Sequence, residues 1–237
     1  MKRLLLVFLL LSPASILRIM AAVEDYDTIP GGAADMFMLL PGADTSELPD
    51  QPLLQIALEG YELLLDSQSV SRTDVITIID FSLPSDKERL WVLDLLNGKV
   101  LFHCLVSHGR NSGGLTAVSF SNVPGSNASS PGFYTTGETY YGKHGLSLML
   151  DGLEEGINDN ARRRSIVMHG ADYVSDDFIR RYGRLGRSYG CPAVPVELNK
   201  EIIETIKGGS CLFIYIRETS YASDSSIIKR ITAAPKV

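Results

Sequence analysis

The chain is short of several things that would point to common functions. Its 22 lysines and arginines are outnumbered by 28 aspartates and glutamates, a formal net charge of −6, which excludes the basic surface that nucleic-acid binding needs. It has no Gly-Lys-Ser/Thr phosphate loop and no GxGxxG turn, and no internal repeat divides residues 70 to 217. Histidines number four and cysteines three, without an H-E-x-x-H pair or dense Cys/His spacing. A zinc peptidase would have to draw on His169, Asp172 and either His108 or His144, and this rival stays open. The single tryptophan, Trp91, lies in a strand-like run and reads as core.

What is present begins at the N-terminus. Met1-Lys2-Arg3 precedes the apolar run Leu4 to Leu11, and small residues follow up to Ala21 and Ala22. Basic, apolar, then small is the order of a secretory signal peptide, and the run is too short for a bilayer span. Cleavage is expected near Ala22, with Ala14 as a competing site, and the absence of a cysteine here argues against a lipid anchor. Removing residues 1 to 22 takes away Lys2, Arg3 and Arg18 and no acid, so the charge of the exported chain becomes −9. Three cysteines are an odd number for an exported protein, which suggests one reactive thiol and at most one bridge. Cys104 and Cys211, both in apolar runs, could pair or remain two buried thiols.

Residues 23 to 50, punctuated by Pro30-Gly31-Gly32 and Pro41-Gly42, read as an extended leader. Leu53, Leu54, Ile56, Ala57, Tyr61, Leu64 and Leu65 recur at helical spacing with Asp50 as cap and Pro52 in the first turn, so residues 51 to 72 hold a helix packed on the domain. Strands are expected at 75–81, 89–95 and 99–106, the last two joined by the hairpin signal Asn97-Gly98. A polar loop, Ser107 to Gly114, follows. His108 within it is a candidate functional histidine or simply a solvated one. Further strands are expected at 146–152 and 165–169, with His144 before the first of them structural or solvated, and the run Arg162-Arg163-Arg164 between them a solvated face rather than a site for the carboxylates of an acidic peptide. Ser175 caps a short helix that ends at Gly183, Pro195 opens another that stops at Gly208-Gly209, and a strand covers 211–217. The polar tail from 219 to 237 is expected to fray. Residues 73–218 thus form one mainly β (α+β) domain, an antiparallel sandwich or partly closed barrel with a few short helices.

The chemistry concentrates between Ser165 and Pro192. Ile166-Val167-Met168 reads as a buried strand that delivers His169 and Gly170, and Arg187-Ser188-Tyr189-Gly190-Cys191-Pro192 reads as a tight turn that displays Cys191. A free thiol is a weak nucleophile at neutral pH; an imidazole within hydrogen-bond reach activates it and later returns the proton to a leaving amine. The amides of Gly190 and Cys191 are candidates for an oxyanion hole. Each residue alone would more often be structural, but the joint pattern favours catalysis over that reading.

These residues carry a resemblance. The strand ending in His169-Gly170, followed by Ser188-Tyr189-Gly190-Cys191-Pro192-Ala193, resembles the YkuD-type L,D-transpeptidases, closest to a subgroup with Pro-Ala after the cysteine. Ser130-Pro131-Gly132-Phe133-Tyr134-Thr135 is similar to the family's cleft-bordering strand opening. Tyr189 stands where the family usually has histidine, and Ala193 where arginine or asparagine is common. The resemblance implies a YkuD-like fold over about residues 74–215, without a cofactor or metal, acting on peptidoglycan stem peptides outside the cytoplasmic membrane, in periplasm or cell envelope. It implies Cys191 as nucleophile, His169 as base and then acid, the Gly170 carbonyl orienting the imidazole, Ser188 fixing the turn and Tyr189 covering the substrate; beside it, Arg187, four residues before the nucleophile, is the basic group expected to meet a substrate carboxylate, and His108 is a candidate substrate contact. The acyl acceptor would be an amine from a second stem or a wall-linked protein. Water in its place would make an L,D-carboxypeptidase, and a silent cell-wall binding module is the remaining rival.

Overall fold

The computed structural model describes residues 48–233. The expected signal peptide, most of the leader and the last four residues lie outside them. Helix α1, Gln51–Asp66, starts as its sequence dictates: the Asp50 carboxylate accepts from the Leu53 amide at 3.1 Å, and proline occupies the first turn. Its apolar stripe, Leu53, Leu54, Ala57, Leu58, Tyr61 and Leu64, is buried in the main core.

Eight strands form one sheet: β1 Val75–Asp80, β2 Leu90–Asp94, β3 Lys99–Cys104, β4 Gly132–Gly142, β5 Gly145–Gly152, β6 Val167–Gly170, β7 Ala193–Val194 and β8 Cys211–Tyr215. Their spatial order is β3-β2-β1-β8-β4-β5-β6-β7. Outside the sheet lie α2 Asp176–Tyr182, α3 Val196–Ile206, α4 Thr219–Asp224 and α5 Ser226–Ala233. The edges nearly meet, because Ser107, just past β3, donates its amide to Ala193 O of β7 at 2.8 Å. The sheet is therefore a nearly closed, barrel-like ring of mostly β structure, as the sequence implies. It is not purely antiparallel: β1 pairs with β8, and β6 with β7, in parallel. β6 and β7 are joined by a connection that leaves the sheet through α2, the geometry sequential parallel neighbours require, whereas β1 and β8 come together with the other six strands between them in the chain.

The Asn97-Gly98 hairpin forms, with the Asp94 carboxylate accepting from the amides of Leu96 and Asn97. The tail from residue 219 differs from expectation. Instead of fraying, residues 219–233 make α4 and α5, burying Tyr221, Ile227 and Ile228. A buried carboxylate anchors them: Glu154 accepts from Tyr221 Oη at 3.0 Å, from Ser225 Oγ and from the Phe133 amide at 2.8 Å. Three buried side chains and one buried acceptor hold this segment, a pattern that helical periodicity alone does not reveal. Cys104 and Cys211 are separate buried thiols, not a bridge. No helix among the described residues is long and apolar enough to cross a membrane.

Candidate active site

His169 arrives on β6, the short buried strand foreseen in the sequence, which lies between β5 and β7. Its Nδ1 meets the Gly170 carbonyl at 2.9 Å. A carbonyl can only accept, so this contact puts the proton on Nδ1 and leaves Nε2 with a lone pair. Burial lowers the basicity of the imidazole, against the Gly170 hydrogen bond, and the Lys143 charge, with that of His144 when it is protonated, lowers it further. The ring is therefore neutral at pH 7.

Cys191 precedes β7 by two residues. His169 pairs in register with Ala193, so Cys191 lies on the turn that enters β7, two residues before the partner of His169, and its sulfur is within hydrogen-bond reach of the Val167 amide. The half-buried thiol donates to Ser165 O at 3.7 Å, not to His169. Ser165 itself sits at φ 55°, a left-handed conformation unusual for serine, that turns the chain into β6 and aims its carbonyl at the sulfur. Burial raises the Cys191 pKa; the Val167 amide, Arg164 and Lys143 pull the other way. The resting pair is thiol and neutral imidazole.

The turn that displays the thiol is tightly fixed. Ser188 Oγ donates to Cys191 O at 2.6 Å and accepts from the Gly190 amide at 3.0 Å, the turn-fixing role the sequence suggests. The Gly190 amide, one of the two expected oxyanion donors, is thus engaged by Ser188 Oγ in this structure. Gly190 has φ 124°, and a β-carbon there would lie 2.8 Å from Ala128 O, so the position admits only glycine. Behind it, buried Ser129 Oγ donates to Gly190 O and accepts from the Gly109 amide, both at 3.0 Å.

Other expected site residues fall elsewhere. His108 is fully buried, neither solvated nor facing the thiol; its Nδ1 accepts from Arg89 Nη2 at 2.9 Å, and burial with the Arg89 charge lowers its pKa to about 4. Its part is indirect, since His108 O accepts the Ser188 amide at 3.1 Å. Arg187 donates to Arg110 O and Gly113 O, bracing the polar loop against the nucleophile turn. Tyr189 is 61% exposed beside the thiol. No group of three or more His, Cys, Asp or Glu side chains converges among the described residues, so the zinc arrangement of His169, Asp172 and a second histidine is not assembled.

Two neighbours of the site escaped the sequence reading. His144, at the β4–β5 turn, stacks on His169 with centroids 4.3 Å apart and planes 21° from parallel. Arg164 is not on a solvated face: it is half-buried, donating to Ser121 O at 2.6 Å, to Ser130 Oγ at 3.0 Å and to Ala128 O, with its charge felt at Cys191. Arg162 does face solvent, paired with Glu138 and Asp151. Only the strand register, which sets the β4–β5 turn above β6, would have pointed to His144.

Residues 46–215 match a family model described as the L,D-transpeptidase catalytic domain, and this covers most of the chain. The chain belongs to that family. Solved structures similar to this L,D-transpeptidase domain include an L,D-transpeptidase from Mycobacterium smegmatis, at 12% identity over 60% of this chain and 59% of that one, with a TM-score of 0.38. An L,D-transpeptidase from Xylanimonas cellulosilytica is 15% identical over 65% of this chain and 68% of that one, TM-score 0.34. One from Stackebrandtia nassauensis is 14% identical over 72% and 69%, TM-score 0.37. The match thus spans about three fifths of the length of the Mycobacterium smegmatis structure. Among curated protein sequences none matches the chain.

Proposed function

We propose that this L,D-transpeptidase domain is an exported peptidoglycan enzyme that transfers an acyl group through Cys191. The observation that carries the reading is that β6 brings His169 beside β7, whose entering turn holds Cys191 two residues before the register partner of His169, while Gly170 O takes the Nδ1 proton and leaves the imidazole Nε2 free to act as a base. Rotation of the Cys191 side chain away from Ser165 O swings the sulfur toward that nitrogen. His169 takes the thiol proton as sulfur attacks the carbonyl carbon between diaminopimelate and D-alanine of a tetrapeptide stem. The Cys191 amide stabilises the oxyanion. The carbon–nitrogen bond then breaks, His169 gives its proton to the leaving amine of D-alanine, and a thioester remains. An amine from a second stem or a wall-linked protein attacks the thioester, returns its proton through His169, and leaves as the cross-linked amide. The basic, apolar, then small order of the N-terminus supports action in the periplasm or cell envelope.

Intact-mass spectrometry with a carbapenem, on the protein and on Cys191→Ser, tests the nucleophile. A covalent adduct is expected on the unaltered protein alone. No adduct, together with a Cys191 that iodoacetamide alkylates no faster than buried Cys104 or Cys211, would overturn the catalytic reading in favour of a binding module. Muropeptide products then separate the acceptors: a diaminopimelate–diaminopimelate cross-link marks an amine, a free tripeptide marks water.

A further inference from the structure

The chain is acidic, yet three arginines gather at the turn that carries the nucleophile. Arg184 and Arg187 precede Cys191 on the same segment, and Arg110 lies on the loop bonded to it, its amide donating to Ser188 O at 2.8 Å. None of the three forms an ion pair with a carboxylate among the described residues, whereas Arg72, Arg162 and Arg180 each have one. Backbone contacts hold two of them together. Arg187 Nη1 donates to Arg110 O at 3.2 Å and Gly113 O at 2.8 Å, and Arg184 Nη1 donates to Leu185 O at 2.7 Å. The Arg110 guanidinium lies 4.7 Å over the Tyr189 ring, a cation–π contact on a largely exposed tyrosine. Beyond the effect of burial, Arg184 and Arg110 both make the Arg187 guanidinium easier to deprotonate, the mark of like charges held close. Fixed like charges without counter-charges are stabilised by an anion that bridges them, and guanidinium is the group best shaped for a carboxylate.

We propose that Arg110, Arg184 and Arg187 form a receptor for the free carboxylates of an acidic peptide whose carbonyl is presented to Cys191. This rests on the acyl-transfer reading above and gives it a specificity determinant: the Arg110 guanidinium is held over Tyr189, two residues from Cys191, so a carboxylate bound to it anchors the peptide on the segment that carries the reacting sulfur. The receptor selects stems with free carboxylates over stems in which they are amidated.

The test compares an acidic tetrapeptide ending in diaminopimelate–D-alanine with the same peptide amidated at its side carboxylates. In the unaltered protein kcat/KM should favour the acidic peptide, and 0.5 M salt should erode that preference, because exposed charges are screened within a few ångströms there. In Arg110→Gln the preference should fall about tenfold, through KM rather than kcat, the loss expected for one charge-assisted contact. Arg184→Gln repeats the comparison should Arg110→Gln fold poorly. Equal rates on both peptides, or equal losses on both, overturn the receptor. Should the unaltered protein turn over neither peptide, the acyl-transfer reading fails separately. Calorimetric binding of the two peptides to Cys191→Ser, with and without Arg110→Gln, then decides the receptor alone, and indistinguishable affinities overturn it.

Discussion

His169 has its tautomer set by the carbonyl of the next residue and its ring plane held by His144 from the facing hairpin turn. The first of these was expected only through the resemblance that His169-Gly170 carries; the second was not, because His144 lies 25 positions upstream and meets His169 only through strand register. The turn-fixing contacts of Ser188 were legible for a local reason: a turn's chemistry is written in its own residues. Arg164 and His108 were misread because burial of a polar side chain depends on what the rest of the fold packs around it. At this scale the stack gives a prediction. His144→Ala removes ring and charge, His144→Phe only the charge. An aromatic pair contributes enough to predict a roughly 2- to 10-fold fall in kcat for the alanine variant, with recovery in phenylalanine. In both, loss of the His144 charge raises the His169 pKa, so the acid limb of kcat/KM against pH should move to higher pH. A limb that stays in place with equal losses in both variants would show that His144 merely fills space.

At the scale of elements, α1 and the C-terminal pair α4 and α5 make the opposite case to the site. Helix α1 was readable residue by residue, from its Asp50 cap to its apolar stripe, since each signal is local. Helices α4 and α5 are 6 and 8 residues long, too short for periodicity to stand out from a polar tail, and they persist because Glu154 and the core meet them. How closely α1 seats on the sheet is settled by Gly60. A β-carbon there would overlap the Phe133 ring, which is stacked on Phe213 at 4.1 Å. Helix propensity alone predicts that Gly60→Ala stabilises the protein by about 1 kcal/mol. Overpacking against a buried ring predicts instead a loss of about 1–3 kcal/mol. Urea denaturation should therefore show a lower midpoint at unchanged m-value; a higher midpoint would mean that α1 rides loosely on Phe133.

In the molecule as a whole, the sheet is nearly closed where Ser107 bonds Ala193, and that seam carries the nucleophile turn on one side and a buried cation on the other. Arg89, fully buried, donates to Val106 O, Leu83 O and His108 Nδ1, so the loop after β3 is pinned from inside while His108 O and Gly109 hold the segment before Cys191. The sequence showed strands of the right length and hairpin chemistry, hence the fold class; ring closure and the parallel β1–β8 pairing depend on contacts between residues some 85 or more apart, and the parallel β6–β7 pairing on residues 24 apart across α2, which no local pattern encodes. The buried histidine at the seam makes stability depend on pH. Its folded pKa of about 4 lies below the ordinary 6.5, so between these values the unfolded chain binds a proton that the folded one refuses. Stability from His108 is thus present above pH 6.5 and lost as pH falls toward 4, by about 3 kcal/mol in all. Asp80 and Glu154, whose pKa values burial raises, act with the opposite sign, and His144 and His169 with the same sign as His108. The contribution of His108 is therefore a difference. His108→Gln, which keeps an acceptor for Arg89, should be less stable at pH 7.5 but lose less stability than the unaltered protein between pH 6.5 and 4 when each is unfolded in urea. Parallel curves over that range would mean that His108 titrates normally, and that the seam admits water to the ring.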